Sequence, residues 1–510
     1  MKKFLSTLRN REDRKYFLTV LGSKLLGAAV VFALYFAVKA ILRGSSAWAD
    51  DSTMAPMGAA AGAATAAAAP AAAAAAAVPA YVSPINTVWV LVTAFLVFFM
   101  QAGFMMLEGG FARSRETVNV MLEGIIDTCL CGLLFYGWGF AWMFGAGNGF
   151  IGNQYYFLHN IPDTYGSTGV PTLAIFLFQF AFADCTSTIT SGAMVGRTGF
   201  VGDLLYSFVV SGVLYPILGH WAWGPDGWLN NIQPAAFHDF AGSTVVHTIG
   251  GMIALAGAVV LGPRLGRKFK RDGGGPMPGH DMTIASLGTI ILWFGWYGFN
   301  PGSTLSAMDT LGIARIATNT TLAAVSGGIA AMFFVYPRSK IWDCGTTCNG
   351  LLAGLVAITC PCYWVSPFGA ICLGAIAGVV VVLGTDLLEY LRIDDPVGAW
   401  PVHGLAGVWG TLSLGLFATG QYGAPTPTGA DNSAAMLVKG LFYGGGFTQL
   451  KAQMIGSACI GGGALITGFI LMYAVHFATG TLRVSKEGEL QGLDIHEHGG
   501  SAYPELPTSA

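Results

Sequence analysis

Residues 239–264 read DFAGSTVVHTIGGMIALAGAVVLGPR, and what this stretch lacks decides the fold. Between Asp239 and Arg264 the one ionisable side chain is His247; the rest are apolar, small or hydroxylic. An apolar run of about 20 residues can cross the hydrocarbon of a bilayer as a helix. Its glycines and alanines let a second helix come close. Asp239 and His247, slightly more than two helical turns apart, place two polar groups near one end of the span.

Working outward, similar runs begin near Thr87, Thr117, Pro171, Phe200, Ile284, Thr310, Gly350, Phe368, Trp400 and Ala452, which with the run at Asp239 makes eleven expected spans. The whole composition agrees. Of 510 residues, 54% are hydrophobic and 72 are glycine, and only 10% are Asp, Glu, Lys or Arg, where soluble globular chains average about 25%. A soluble enzyme is excluded, and membrane lipid becomes the expected surroundings. A net charge of -2 without a long basic run also excludes a nucleic-acid partner. The expectation is an all-α polytopic membrane helix bundle. Its basic loops follow the odd-numbered spans: Arg113 and Arg115 after the first, Arg197 after the third, Arg264 to Arg271 after the fifth, Arg338 and Lys340 after the seventh, Arg392 after the ninth, Arg483 and Lys486 after the last. Cytoplasmic loops carry such an excess, so the mature N-terminus is expected outside the cell membrane (inner membrane) and the C-terminus in the cytoplasm.

Residues 1–49 have the order of a secretory signal peptide: a basic region, the apolar stretch from Leu25 to Leu42, then Ala47-Trp48-Ala49. An uncleaved helix is the alternative, since Lys39 interrupts the stretch. Residues 50–83 are rich in Ala and Pro, lack the large side chains that build a core, and read as an extracytoplasmic linker. Residues 84–480 form the expected membrane domain, and 481–510 a polar cytoplasmic tail. Seven cysteines, Cys129, Cys131, Cys185, Cys360, Cys362, Cys372 and Cys459, lie in apolar runs and read as small buried hydrophobes; Cys344 and Cys348, without histidine partners, are weak evidence for a metal.

Ionisable residues within a span are costly and point to function. Besides Asp239 and His247, His403 stands near the start of the tenth span, in Ala399-Trp-Pro-Val-His403-Gly. Each histidine follows a valine and precedes small residues. If the chain divides into two five-helix halves plus a final helix, His247 and His403 occupy matching helices, and an odd number of spans per half makes the halves inverted repeats. Taken singly, either histidine reads as a buried ring satisfied by a carbonyl; a metal site would need a third ligand.

With these strings on the page, the chain resembles the ammonium transporter family (Amt/Mep/Rh), in its Amt branch, from about Thr87 onward. The likeness is carried by residues 239–264, by 178–197 (FQFAFADCTSTITSGAMVGR), 295–303 (GWYGFNPGS), 394–404 (DDPVGAWPVHG) and 492–503 (GLDIHEHGGSAY). The resemblance implies an ammonium transporter with no cofactor, no resident metal and no enzymatic activity, assembled as a homotrimer and regulated from the cytoplasm by a PII-type nitrogen-signalling protein. It also implies roles. Trp223, Phe182 and Ser303 would form the outer substrate site, where an indole face attracts a small cation and a hydroxyl oxygen accepts an N–H; an interfacial belt position is the alternative for Trp223. Phe182 and Phe299 would stack as a gate. His247, His403, Trp296 and Thr359 would line the pore, although a back-bonded helical hydroxyl explains Thr359 equally well. Asp239 would act indirectly, as a carboxylate accepting backbone N–H groups. An apolar pore favours neutral ammonia over a bare cation, so ammonium would give up its proton outside, with the proton routed separately.

Asp184 and Asp203 depart from the pattern: each is a carboxylate where a small or neutral residue is expected. Two other functions compete, an ammonium sensor using the same site and a polytopic membrane enzyme using His247, His403 and Asp239 for acid–base work. The tail carries Glu487, Glu489 and Asp494, expected to dock on the basic loop from Arg264 to Arg271. N-terminal sequencing of the membrane-purified protein checks the leader: the expected first residue is Asp50, and an intact Met1 would mean twelve spans.

Overall fold

The computed structural model describes residues 78–480 and 482–503; the expected leader and its processing site, and most of the linker, lie outside these. Nine helices are long and apolar enough to cross a membrane among the described residues. They are α1 (Val82–Phe111), α2 (Ser114–Phe144), α3 (Thr172–Gly192), α4 (Phe200–Asn231), α5 (Ser243–Leu261), α6 (Met282–Gly302), α7 (Thr310–Ser339), α9 (Pro367–Leu391) and α11 (Thr448–Thr479). The other two expected spans fall on α8 (Cys344–Thr359) and on α10, the π-helical turn Trp400–Leu405 that runs into Ala406–Phe417. Both miss the length or apolarity of a full crossing, so the count of eleven is not reached on those grounds. Two short helices, α12 (Lys486–Gln491) and α13 (Leu493–His498), follow the last span. The strands are three small antiparallel pairs in loops.

Helix starts follow local chemistry. The carboxylates of Asp281, Asp309 and Asp343 accept N–H groups of the first turns of α6, α7 and α8, and the Ser366 hydroxyl does the same for α9. Each satisfies a donor the helix itself leaves open. Between helices, small residues set the spacing: α1 packs along α6, α7 along both α8 and α9, and α5 along α11. The large exposed side chains, such as Leu133, Phe294, Phe333 and Phe477, belong on the lipid side. Cys129 is also exposed, contrary to its expected burial, because its stretch of α2 turns outward; Cys131 two residues on is buried. Cys344 is exposed as well, and Cys372 and Cys459 are half-buried.

At the end of the bundle that carries the arginine-rich loops, a knot of buried charge ties the two halves together. Arg264 donates to Asp394 from Nε at 2.8 Å and from Nη2 at 3.0 Å, and its own backbone N–H binds the same carboxylate at 2.9 Å. Buried Arg197 donates to the Asp394 carbonyl and to that of Gly262. Arg267 adds Glu389, and Lys270 reaches Asp386. The loop therefore spends its charges on residues 386–394, not on the tail. The tail does meet this loop, through backbone rather than charge: Glu489 accepts the Leu265 N–H and pairs with Arg483, while Asp494 accepts the Asn119 N–H at 3.0 Å. No partner for Glu487 is seen among the described residues.

Burial alone would raise the Asp394 carboxyl, but hydrogen bonds from Arg264 and the charges of Arg197 and Arg264 hold it well below the usual range. A carboxyl held low stabilises the folded state at pH values above its unfolded pKa, about 4. That contribution is lost as pH falls through the depressed folded value. Asp394→Asn leaves two guanidiniums buried without their counter-charge and is expected to cost about 3–5 kcal/mol, measured by thermal unfolding of the purified protein at neutral pH. The gap between wild type and variant should shrink on strong acidification.

Candidate functional site

The site begins with two places where the backbone leaves the regular helix. Gly242 has φ +114° and Gly398 φ +82°, values that favour glycine, and the π-helical turns Ser243–Thr248 and Trp400–Leu405 follow. Asp239 collects the N–H groups of Gly242 and Ser243 on one oxygen and those of Thr244 and Val245 on the other, at 2.8–3.0 Å. Asp395 does the same for Gly398, Ala399 and Trp400, at 2.9–3.0 Å. In both cases the histidine follows the aspartate by eight residues and the glycine by five: Asp239-Phe-Ala-Gly-Ser-Thr-Val-Val-His247 and Asp395-Pro-Val-Gly-Ala-Trp-Pro-Val-His403. Asp395 was missed as a site residue. The repeated Asp-x-x-Gly spacing before each histidine is the signal that finds it.

These turns deliver the histidines to one point. Immediately beyond them, α5 and α10 cross so tightly that a Cβ on Gly251 would lie 2.2 Å from the Gly404 nitrogen. His247 and His403 are buried, with Nδ1 atoms 3.2 Å apart and rings 5.2 Å between centroids, stacked at 28°. One Nδ1 donates and the other accepts. The Nε2 of His247 has no hydrogen-bond partner among the described residues.

Aromatic rings continue the stack in both directions. His247 lies 5.3 Å from Phe299 and 5.2 Å from Trp296, both near parallel. Phe299 stacks on Phe182 at 4.1 Å, and Phe182 meets Trp223 edge-on at 6.1 Å. On the other side His403 lies 6.2 Å from Phe104. Aromatic pairs at such spacings attract by about 0.5–1.5 kcal/mol beyond simple burial, so the column is self-supporting.

A cavity of about 10 Å³ lies at each end, room for one water-sized molecule. The first, away from the basic loops, is lined by Trp223, Phe182, Phe178, Phe240 and Ser303. The Trp223 indole N–H donates to the Asp239 carbonyl at 2.8 Å, and the side chain is buried rather than set on the bundle surface. Ser303 donates its hydroxyl to the Phe299 carbonyl at 2.8 Å, so its oxygen is left to accept from a guest. The second cavity is lined by His403, Phe104, Glu108 and Val402. Thr359 takes the back-bonded form, donating to the Leu355 carbonyl at 2.7 Å, and it also accepts the Trp296 indole N–H at 2.9 Å, beside His247. The structure brings the expected rings Trp223, Phe182, Phe299, His247, Trp296 and His403 together in one column, with Ser303, Thr359 and Asp239 bonded to its members from beside it. Among the described residues, no three of His, Cys, Asp and Glu converge as a metal site.

Residues 88–503 match the model of the Ammonium Transporter Family. The chain belongs to the ammonium transporter family. It is 45% identical to ammonium transporter Amt2 of Archaeoglobus fulgidus over 433 residues, 82% of this chain and 88% of that one. With ammonium transporter 1 member 3 of Solanum lycopersicum it shares 38% over 434 residues, 82% of this chain and 93% of the relative. Among solved structures it is similar to a Sensor Amt Protein (TM-score 0.73, 35% identity, covering 82% of this chain and 99% of that chain). It is also similar to Saccharomyces cerevisiae Mep2 (TM-score 0.70, 27% identity, 79% and 89% covered).

The two departures from the family pattern sit outside the column. Asp184 points from α3 toward α2, where Thr128 donates to it at 3.0 Å, and Asp203 on α4 is bound by the Tyr206 hydroxyl. Asp239→Asn and Asp395→Asn each turn one acceptor oxygen into a donor facing N–H groups. Stranding buried donors costs about 1–3 kcal/mol, so both variants should unfold at lower temperature by a similar increment, and Asp239→Asn should also weaken ammonium binding measured calorimetrically.

Proposed function

We propose that this chain carries ammonium across the cell membrane through the ring column. The observation supporting passage, rather than binding alone, is that one continuous column of rings joins two cavities of molecular size. A sensor needs only the first cavity. An enzyme needs a nucleophile or metal set beside the histidines, and the rings stacked on the pair supply neither. Transport is therefore the reading, and membership of a transporter family agrees with it.

In this reading Trp223, Phe182 and Ser303 receive ammonium on the outer side, with the indole face and the serine oxygen replacing part of its hydration shell. A bare cation in the apolar column would cost several kcal/mol at least. Ammonium therefore leaves its proton at the outer site, and ammonia passes the Phe182–Phe299 gate. The histidine pair, held by Trp296 and Thr359, offers one donor and one acceptor to the passing molecule, and Asp239 holds the turn that presents His247. Reprotonation follows inside. The basic loops give the orientation, with the mature N-terminus outside the inner membrane and the tail in the cytoplasm. Residues 1–49 are the cleaved leader, 50–83 the linker, 84–480 the transport domain and 481–510 the tail. The working unit is a homotrimer with a pore in each subunit, and a PII-type regulator docks on the cytoplasmic face beside the tail.

The test is uptake of isotopically labelled ammonium by proteoliposomes. Wild type should accumulate the label against controls without protein. His247→Asp keeps a polar group but loses the stacked ring, and should lower uptake roughly tenfold or more, about 1.4 kcal/mol on the barrier, while admitting potassium. Binding of ammonium without any uptake by wild type would favour the sensor.

A further inference from the structure

The column leaves a second set of ionisable groups unused. Glu108 on α1, Glu123 and Asp127 on α2, Asp184 on α3 and Asp203 on α4 are all buried, and none of them is in an ion pair among the described residues. Their neighbours are neutral. The Ser191 hydroxyl lies 3.4 Å from Glu108, the Asn119 amide donates to Glu123 at 2.8 Å, Thr128 donates to Asp184 and Tyr206 to Asp203. α2 packs both against α1, which carries Glu108, and against the start of α4, which carries Asp203, and Glu123 and Asp127 lie one helical turn apart along it.

Two independent observations say that this group holds something. First, its hydrogen bonding is incomplete: among the described residues, both oxygens of Asp127, one each of Asp184 and Asp203, and the hydroxyls of Ser207 and Ser211 are buried without a partner. Buried groups left open in this way are met by water or by shared protons, and a protonated carboxyl both donates and accepts, so it can complete such a network where a carboxylate cannot. Ionised together, the acids would repel one another in an apolar bundle. Second, the group is open at two ends. Glu108 lines the same cavity as His403. Glu123 is bonded to Asn119, whose carbonyl oxygen meets Nε2 of half-buried His498 at 2.9 Å.

We propose that these carboxyls form a proton relay separate from the ring column, running from the cavity shared by His403 and Glu108, through Asp203 and Glu123, to the mouth that Asn119 and His498 make at the cytoplasmic face. Asp127 and Asp184 branch from it and hold further protons. The relay rests on the transport reading and gives the separated proton its inner path. The proton given up by ammonium reaches the imidazole pair, and His403 returns to its neutral form as Glu108 takes the proton. Each acid then accepts a proton on one oxygen as it releases one from the other, with water closing the gaps. The last proton goes to solvent at the mouth, where ammonia takes one up. One ammonium crosses in all, and nothing is oxidised or reduced.

The experiment uses the full chain in proteoliposomes, recording ammonium-triggered current and labelled uptake together, with infrared spectra of the same samples in light and heavy water. Wild type should show deuterium-sensitive bands of protonated carboxyl groups at neutral pH, diminished in Glu108→Gln and in Asp203→Asn. In both variants the charge moved per labelled ammonium should fall roughly tenfold or more, the scale of losing a positioned proton carrier, with a smaller loss of labelled uptake. Glu123→Gln and His498→Ala, at the other end of the string, carry the same expectation for current, so misfolding of one variant leaves the test standing. Folded variants with wild-type charge per ammonium, or a wild type without protonated carboxyl bands, would overturn the relay alone. A wild type that takes up no labelled ammonium would overturn the transport reading and the relay with it.

Discussion

A backbone that leaves the helical ladder inside a membrane strands its amides, and no water is there to receive them. Two aspartates solve this problem. Asp239 and Asp395 gather the N–H groups at the entry to the π-helical turns, and these turns in α5 and α10 bring two imidazoles face to face. Remove the carboxylates and the turns have no reason to stay open. The Gly251–Gly404 crossing would close on regular helices, and His247 and His403 would lose their common point. The ring column is anchored to the same feature, since the Trp223 indole bonds to the Asp239 carbonyl and Trp296, held by Thr359, stacks on His247.

The column and the carboxyl group divide the bundle by polarity. Rings from α3, α4, α5, α6 and α10 make a path with few hydrogen-bonding groups, suited to a small neutral molecule. Acids from α1 to α4 make a region that is all hydrogen bonding. The two touch at the cavity where Glu108 and His403 meet. This arrangement explains why Asp184 and Asp203 can depart from the family pattern without blocking the column: their side chains lie among the helices of the first half.

Much of this was legible in the sequence, and the limits have physical causes. Helix placement followed from apolar length, because lipid imposes one length on every full span. The pairing of His247 with His403 was visible in the Val-His and small-residue pattern. Phe182 and Phe299 were found only through the motifs around them, because a phenylalanine in an apolar span carries no local mark of whether it faces a pore or lipid. The partners of the basic loop were misjudged for a related reason. Arg264 and Arg267 could satisfy charge on the tail or on 386–394, and only three-dimensional packing chooses Asp394 and Glu389. The exposure of Cys129 beside buried Cys131 likewise depends on which side of α2 meets the bundle. Asp395 was readable from its spacing to His403, yet it stands beside Asp394, and the pair looks like one polar loop until each carboxylate is seen with its own partners.

The docking of the tail has a consequence in time. Asn119 binds Asp494 across 375 residues of chain, which at a synthesis rate of roughly 5–20 residues per second separates the two by about 20–75 s. Through that interval the start of α2 is already made while the end that Asp494 and His498 close, beside Glu123, is still uncovered. A segment made after every span is thus the one that seals a much earlier part of the bundle, so insertion of the helices and closure of this end are distinct events in the life of the protein, and a chain lacking Asp494 and His498 would remain open there.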